Sequence, residues 1–267
     1  MLLLAAGLAC GFQPAATLPT ATRPPATAPP VTFTPLPPDS GWLEVAPGLE
    51  QRTLRAPNGA GDVIETITLL RVDPAAHRFD VQYAPQSPRT VQEWAADTGA
   101  AITLNAGYFS PEYTVTGLLV SDGVSYGHSY GNFAGMLAIR EDSTQVRWLS
   151  KDPYNPTEPL RAAVQSFPVL IKPGGVLGFP QEDGLPARRT VIAQDRAGRI
   201  LIVVCPNGTF TLFRLAKYLL QSDLELDIAL NLDGGASTGL SLALNQARIK
   251  IPSFAPVPAV ITIAPRK

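Results

Sequence analysis

Asp227-Ile228-Ala229-Leu230-Asn231-Leu232-Asp233-Gly234-Gly235-Ala236-Ser237-Thr238-Gly239 is the stretch from which the fold of this chain can be worked out. Its first half is a short apolar run of the kind that forms a buried strand, and it stops abruptly at an acid and two glycines. A carboxylate is therefore delivered to a strand end. The glycines let the backbone turn and leave room for a ligand to approach, while Ser237 and Thr238 bring hydroxyls nearby. The plainer reading of the same residues is a turn capped by its own aspartate, so the other segments have to discriminate.

Outward from it the logic repeats. Ala101 to Asn105 is a second buried strand that runs into Ala106-Gly107-Tyr108-Phe109, where a polar residue, a glycine and two aromatics could wall a sugar ring. Ala162 to Ile171 is apolar apart from Gln165 and Ser166, which need partners inside a buried strand, either backbone or ligand. Ala187 to Asp195 opens with Arg188 and Arg189, and the planar fork of arginine is well suited to gripping phosphate. Asp122-Gly123 is expected to be a structural hairpin turn. The glycine- and tyrosine-rich segment Ser125 to Phe133, with His128, is expected to be a loop that could overhang a site. Two helices are predicted. Val91–Thr98 is capped by Thr90 and Glu93 and stopped by Gly99, and Leu212–Gln221 is capped by Thr211. His77 falls in a break between strands and reads as a surface turn residue. The last strand is expected at Ala259 to Ile263.

The bulk composition agrees. Charges nearly cancel, 21 basic against 22 acidic, so no basic field for nucleic acid exists. Hydrophobic residues make up 45% and charged ones 16%, enough for a core, and 27 prolines with 22 glycines mean many turns. The expected fold class is α+β: a single domain with a mixed β-sheet and few helices, preceded by a Pro/Thr-rich tether. The expected division is a signal segment over residues 1–10, a linker over 11–40 and the domain over 41–267. Met1 to Ala9 is an apolar run of signal-peptide length ending before Cys10, which reads as the lipidation site of an exported lipoprotein. Between Pro14 and Pro38, nine of 25 residues are proline and six are threonine, a composition that favours an extended stalk over a core. The membrane is expected as a partner only through that lipid. Cys205 ends an apolar run and reads as a small core residue.

Taken in order, Asn105-Ala106-Gly107-Tyr108-Phe109, then Gln165-Ser166-Phe167-Pro168-Val169-Leu170 with glycines after it, then Arg189-Thr190-Val191-Ile192, a helix, and Asn231-Leu232-Asp233-Gly234-Gly235-Ala236-Ser237 resemble the phosphodiester glycosidase domain family. The resemblance runs from about Val63 to Ile263, and its specificity lies in order and spacing together. Ala193 and Ala236 stand where the family usually has glycine. The resemblance implies an exported hydrolase that separates a sugar from phosphate in a sugar-1-phosphodiester, acting on a glycan or cell-envelope substrate. Asp233 would be the catalytic carboxyl and Arg189 the phosphate clamp. Asn105, Gly107, Tyr108, Gln165, Ser166, Thr190, Asn231, Gly234, Gly235 and Ser237 would surround the substrate. No metal ligands are assigned, although a divalent cation such as calcium could be held by Asp233 and loop carbonyls. The competing function is a non-catalytic module that binds extracellular polysaccharide. Asn105, Arg189 and Asp233 are expected to converge on one cleft. Arg189 is expected to keep Asp233 ionised, which would leave proton donation to His128 or Tyr108.

Overall fold

Eighteen strands and two α-helices make up the described chain, which in this computed structural model covers residues 38–58, 60–244 and 246–266. The predicted signal segment, Cys10 and nearly all of the stalk lie outside the described residues. Pro38 to Ser40 already belong to the domain: Asp39 bridges to Leu54, and the amide of Arg55 donates to the Pro38 carbonyl at 2.7 Å.

The strands form three sheets. The eight-stranded sheet runs in the spatial order Leu43–Ala46, Leu49–Pro57, Val63–Val72, Ile200–Phe210, Ala187–Asp195, Leu226–Asn231, Val169–Lys172, Val176–Leu177. A five-stranded sheet follows the order Val124–Tyr126, Leu119–Ser121, Ala162–Ser166, Gly135–Ile139, Thr144–Trp148, and another the order Arg248–Ile251, Leu240–Ala243, Ile102–Asn105, Ala259–Pro265, His77–Tyr83. The expected mixed sheet is not what forms, because every ladder among the described residues is antiparallel. The strands meet through hairpins and longer antiparallel returns, and the two helices are too few to serve as parallel crossovers.

Burial explains the apolar runs. In the strand Ile200–Phe210, Ile200, Ile202 and Val204 face the main core between the sheets, while Leu201, Val203 and Cys205 face a second core under the helix Leu212–Gln221. Both faces are covered, so the run has no polar alternation. Cys205 is a buried free thiol, as expected. Asp122 and Gly123 take φ of 48° and 76° between two paired strands, the left-handed pair that a tight hairpin requires.

Two expectations are corrected here. Ala162 to Ile171 is not one strand: Ala162–Ser166 belongs to a five-stranded sheet and Val169–Lys172 to the eight-stranded one. Pro168 between them has no N–H to continue a ladder. His77 is not at the surface, since it opens the strand His77–Tyr83 and alternates inward with Phe79 and Val81, only 2% exposed. That burial lowers its pKa below the ordinary 6.5.

The helix Val91–Thr98 carries a complete capping box. The Thr90 amide donates to Glu93 Oε2 at 2.8 Å, the Glu93 amide donates to Thr90 Oγ1 at 3.3 Å, and Gly99 ends the helix at φ 62°. Its buried Trp94 donates to the Val257 carbonyl at 3.0 Å and ties the helix to the turn before the last strand. Thr90→Ala should cost about 1 kcal/mol, read as a lower urea midpoint with unchanged slope.

Candidate active site

The three sheets deliver their strand ends to one place, and strand register explains how. Ala187–Asp195 and Leu226–Asn231 are antiparallel with Val191 opposite Asn231. The pairing continues past the strand end, because the Leu232 amide donates to the Thr190 carbonyl at 2.9 Å. Just past the strand end, Gly234 packs against the Arg188 carbonyl and the Arg189 stem, so the Asp233 loop runs beside the start of the arginine strand. Backbone segments about 44 positions apart in sequence are thus brought side by side, while the Arg189 and Asp233 side chains form no hydrogen bond or ion pair with each other among the described residues.

Asn105 locks the loop in place. It ends the strand Ile102–Asn105 and is wholly buried. Its Nδ2 donates to the Asp233 carbonyl at 2.7 Å, and its Oδ1 accepts from the Thr190 hydroxyl at 2.8 Å and the Gly239 amide at 3.1 Å. The Asp233 amide meanwhile donates to the Ala106 carbonyl at 3.2 Å. With its amide group fully engaged by protein, Asn105 is a positioning residue, and Thr190 serves with it.

The Asp233 carboxyl accepts from the Gly234 amide at 2.8 Å and from the Ser237 hydroxyl. Its pKa nevertheless lies above the ordinary 3.8, because burial outweighs those two bonds. The expectation that Arg189 holds Asp233 ionised is therefore corrected. The Arg189 guanidinium is engaged elsewhere, donating from Nη2 to the Leu185 carbonyl at 2.5 Å and from Nε to the Phe210 carbonyl at 3.3 Å, with Asp183 4.0 Å away. Its Nη1 donates to no protein group among the described residues. Asp183 was not legible as a site residue, because it falls in an irregular segment with no motif around it.

Two phenols complete the cluster. Tyr108 accepts from Asn231 Nδ2 at 2.7 Å, and burial, then the negative charge of Asp233, push its pKa up to about 12. Tyr130 is raised chiefly by burial and also feels Asp233. Both hydroxyls therefore stay protonated through the ordinary pH range. The rings of Tyr108 and Tyr130 lie 4.8 and 5.1 Å from that of Phe167. Tyr130 was missed as an individual residue, although the loop carrying it was singled out. That loop is pinned by Gln165, whose Oε1 accepts from the Tyr130 amide at 2.9 Å and the Ser129 hydroxyl at 3.2 Å. Ser166 is fully buried and, among the described residues, neither its hydroxyl nor the buried Oδ1 of Asn231 has a hydrogen-bond partner.

The glycines have separate jobs. A Cβ on Gly234 would stand 2.8 Å from the Arg188 carbonyl oxygen, and one on Gly107 would stand 2.7 Å from that of Gln165, so both are sites of close packing. Gly235 takes φ 60°, which L side chains rarely adopt. Ala236 stays outside that region and is exposed, and Ala193 is buried mid-strand, so both alanines fit without backbone strain. His128 is exposed, with Nδ1 2.7 Å from the Gly127 carbonyl. It lines a cavity of about 470 Å³ with Leu118, Ser129, Asn132, Leu149 and Tyr154, and neither Asp233 nor Arg189 belongs to that lining. Among the described residues no group of three or more His, Cys, Asp or Glu side chains could hold a metal ion.

A half-buried carboxyl on a glycine loop, the strand that carries Arg189 and two protonated phenols gather at the junction of three antiparallel sheets. The phosphodiester glycosidase family model matches residues 98–264, and the chain belongs to that family. Among solved structures it is similar to the catalytic domain of zebrafish N-acetylglucosamine-1-phosphodiester alpha-N-acetylglucosaminidase, auto-inhibited by its pro-peptide, at TM-score 0.66 and 20% identity, over 84% of this chain and 86% of that one. It is also similar to a hypothetical protein from Synechocystis, at TM-score 0.58 and 15% identity, over 86% of this chain and 64% of the other. A search of curated proteins found no match.

Proposed function

We propose that this chain hydrolyses a sugar-1-phosphodiester, breaking the bond between the anomeric carbon and the bridging oxygen to give a free sugar and a phosphomonoester. The observation that carries the reading is the Asp233 loop packed beside the strand that carries Arg189, with the Asp233 main chain anchored on Asn105 and Ala106. The zebrafish relative is named for an N-acetylglucosamine-1-phosphodiester, and that substrate class suits this site.

The chemistry needs one carboxylate rather than two. Ordinary glycosidases use a second carboxylic acid to protonate a poor alkoxide leaving group. A phosphomonoester leaves as a stable anion, and Arg189 can take up the charge that develops on it. Asp233, once ionised, accepts a proton from the attacking water while the water oxygen bonds to the anomeric carbon. The C–O electron pair leaves with the phosphate, so the protons and charge balance. Tyr108 and Tyr130, as permanent donors, can orient the sugar hydroxyls or the phosphate oxygens.

Hydrolysis in ¹⁸O-labelled water tests the bond assignment. The label should appear in the sugar and not in the phosphate, and label in the phosphate would sink the proposal. Arg189→Ala should lower kcat/KM by roughly 10²- to 10³-fold, with Arg189→Lys recovering only part, since an ammonium lacks the two-pronged fork. A polysaccharide-binding module would release no sugar with either side chain. Export and lipid attachment at Cys10, with Pro14 to Pro38 as a stalk, are part of the same proposal. A Cys10→Ala protein that remained membrane-associated would rule the anchor out.

A further inference from the structure

We infer that the cavity between residues 127–132 and residues 153–156 is a second binding site, which holds a neutral sugar unit of a glycan chain. It is separate from the Asp233 cluster and does not depend on the hydrolase reading. At about 470 Å³ it falls within the range of roughly 300–1,000 Å³ typical of small-molecule sites. Polar side chains on an open surface are ordinary and need no ligand. These instead line one concave space with an apolar floor and two walls held from behind.

The floor is Leu118 and Leu149, 4% and 1% exposed, with Tyr154 packed against the cluster they belong to. One wall is the glycine-rich loop. Gln165 Nε2 donates to Ser129 Oγ at 3.0 Å, and the Gly131 amide donates to the same hydroxyl at 3.3 Å. Gly127 is pressed so closely on Gly117 that a Cβ there would stand 2.2 Å from the Gly117 carbonyl oxygen. The facing wall is a turn closed by the Glu158 amide, which donates to the Asn155 carbonyl at 3.0 Å, while the Glu158 carboxylate is held by Arg140 at 2.6 Å and by Arg147. Pro153 and Pro156 fix the backbone φ on this side. Walls already fixed in place have little freedom to lose when a ligand binds.

The chemistry of the lining selects the occupant. No Asp, Glu, Lys or Arg belongs to it, so a phosphate or carboxylate would leave water without a counter-charge. His128 Nδ1 lies 2.7 Å from the Gly127 carbonyl, which can only accept, so Nδ1 carries the proton and Nε2 of the neutral ring is an acceptor. Asn132 offers an amide and Tyr154 a hydroxyl, each able to donate and accept, and neither makes a hydrogen bond within the protein among the described residues. Hydroxyl groups use donors and acceptors together, and the C–H faces of a pyranose suit the Tyr154 ring and the two prolines.

Four neutral trisaccharides test this: cellotriose, maltotriose, xylotriose and triacetylchitotriose, each titrated into the full chain with assigned backbone amide shifts as the readout. At least one should shift the amides of Gly127, Gly131 and Tyr154 with a Kd of about 1 mM or tighter. Asn132→Ala, which alters only an exposed side chain, and Tyr154→Leu, which keeps apolar bulk on the floor, should each weaken that binding about 3- to 10-fold at unchanged Tm. Asp233→Asn should leave it unchanged even as turnover is lost, so this inference and the hydrolase reading fail separately. No shift from any of the four at about 10 mM, or equally tight binding of trigalacturonate, overturns the inference. So does binding that survives both cavity variants, or that Asp233→Asn abolishes, because the sugar then sits elsewhere. A synthetic peptide of residues 14–38 that shifts these amides where the trisaccharides do not would make the cavity a groove for a proline-rich chain, which also overturns it.

Discussion

Replacing Asp233 by asparagine is expected to remove turnover, by about 10³-fold or more in kcat, while making the folded protein more stable at neutral pH. The two effects have one cause. Burial holds the Asp233 carboxyl above its ordinary pKa of 3.8, against the opposing bonds from Ser237 and Gly234. A carboxyl whose folded-state pKa is raised contributes stability that is fully present below the unfolded value and is lost as pH rises through the folded one. Asparagine keeps an oxygen to accept from the Gly234 amide and the Ser237 hydroxyl but never ionises. The variant should therefore match the parent in Tm near pH 3.5 and pull ahead as pH rises above 3.8, levelling off once the parent carboxyl is fully ionised. A parallel pair of Tm curves, or a variant that loses stability as pH rises, would show that Asp233 is an ordinary turn residue stabilised by its own loop. The activity of the parent should rise over the same pH interval in which its stability advantage disappears, because the ionised form is the one that accepts the proton.

This cost also explains how much of the site could be seen in advance. Asp233, Gly234 and Gly235 were legible because an acid and two glycines interrupt an otherwise apolar run, which local propensity does not favour. The two helices were legible for the same local reason, since their caps and apolar faces lie within a dozen residues of each other. Relations between distant segments were not. The raised pKa of Asp233 comes from burial, and the Arg189 guanidinium is instead held by the carbonyls of Leu185 and Phe210, which no periodicity announces. Tyr130 sits among glycines in a segment with no strand or helix pattern, and the buried Gln165 amide, the Thr116 hydroxyl and the Phe167 ring, all distant in sequence or pattern, fix where it points. His77 looked like a turn residue because Asp73-Pro74 lies close before it. The partner strand ending at Pro265, opposite His77, is what buries it, and that partner is far away in sequence. The mixed sheet failed similarly: apolar runs reveal that strands are buried on both faces but not in which direction their neighbours run.

The most severe single substitution should be Asn105→Asp, which changes one atom type and almost no volume. Asn105 Nδ2 is a donor 2.7 Å from the Asp233 carbonyl in a wholly buried position. A carboxylate there would set oxygen against oxygen with no water to screen it, and nothing nearby could supply the lost proton except protonation of the new carboxyl itself. The expected loss at pH 7 is at least about 3 kcal/mol, the scale of an unpaired buried polar group made worse by charge. At low pH the protonated carboxyl can donate to Asp233 and still accept from Thr190 and Gly239, so it mimics the amide it replaced. Its folded-state pKa is raised, which means that stability is retained below the unfolded carboxyl pKa of about 3.9 and lost as pH climbs through the folded value. Chemical denaturation of Asn105→Asp at several pH values should therefore show a steep fall in midpoint with rising pH. Asn105→Ala, which leaves the same partners unpaired but adds no charge, should show a constant deficit relative to the parent. If Asn105→Asp instead parallels Asn105→Ala, the Asp233 carbonyl has another donor, and Asn105 is not what holds the Asp233 loop against the strand end.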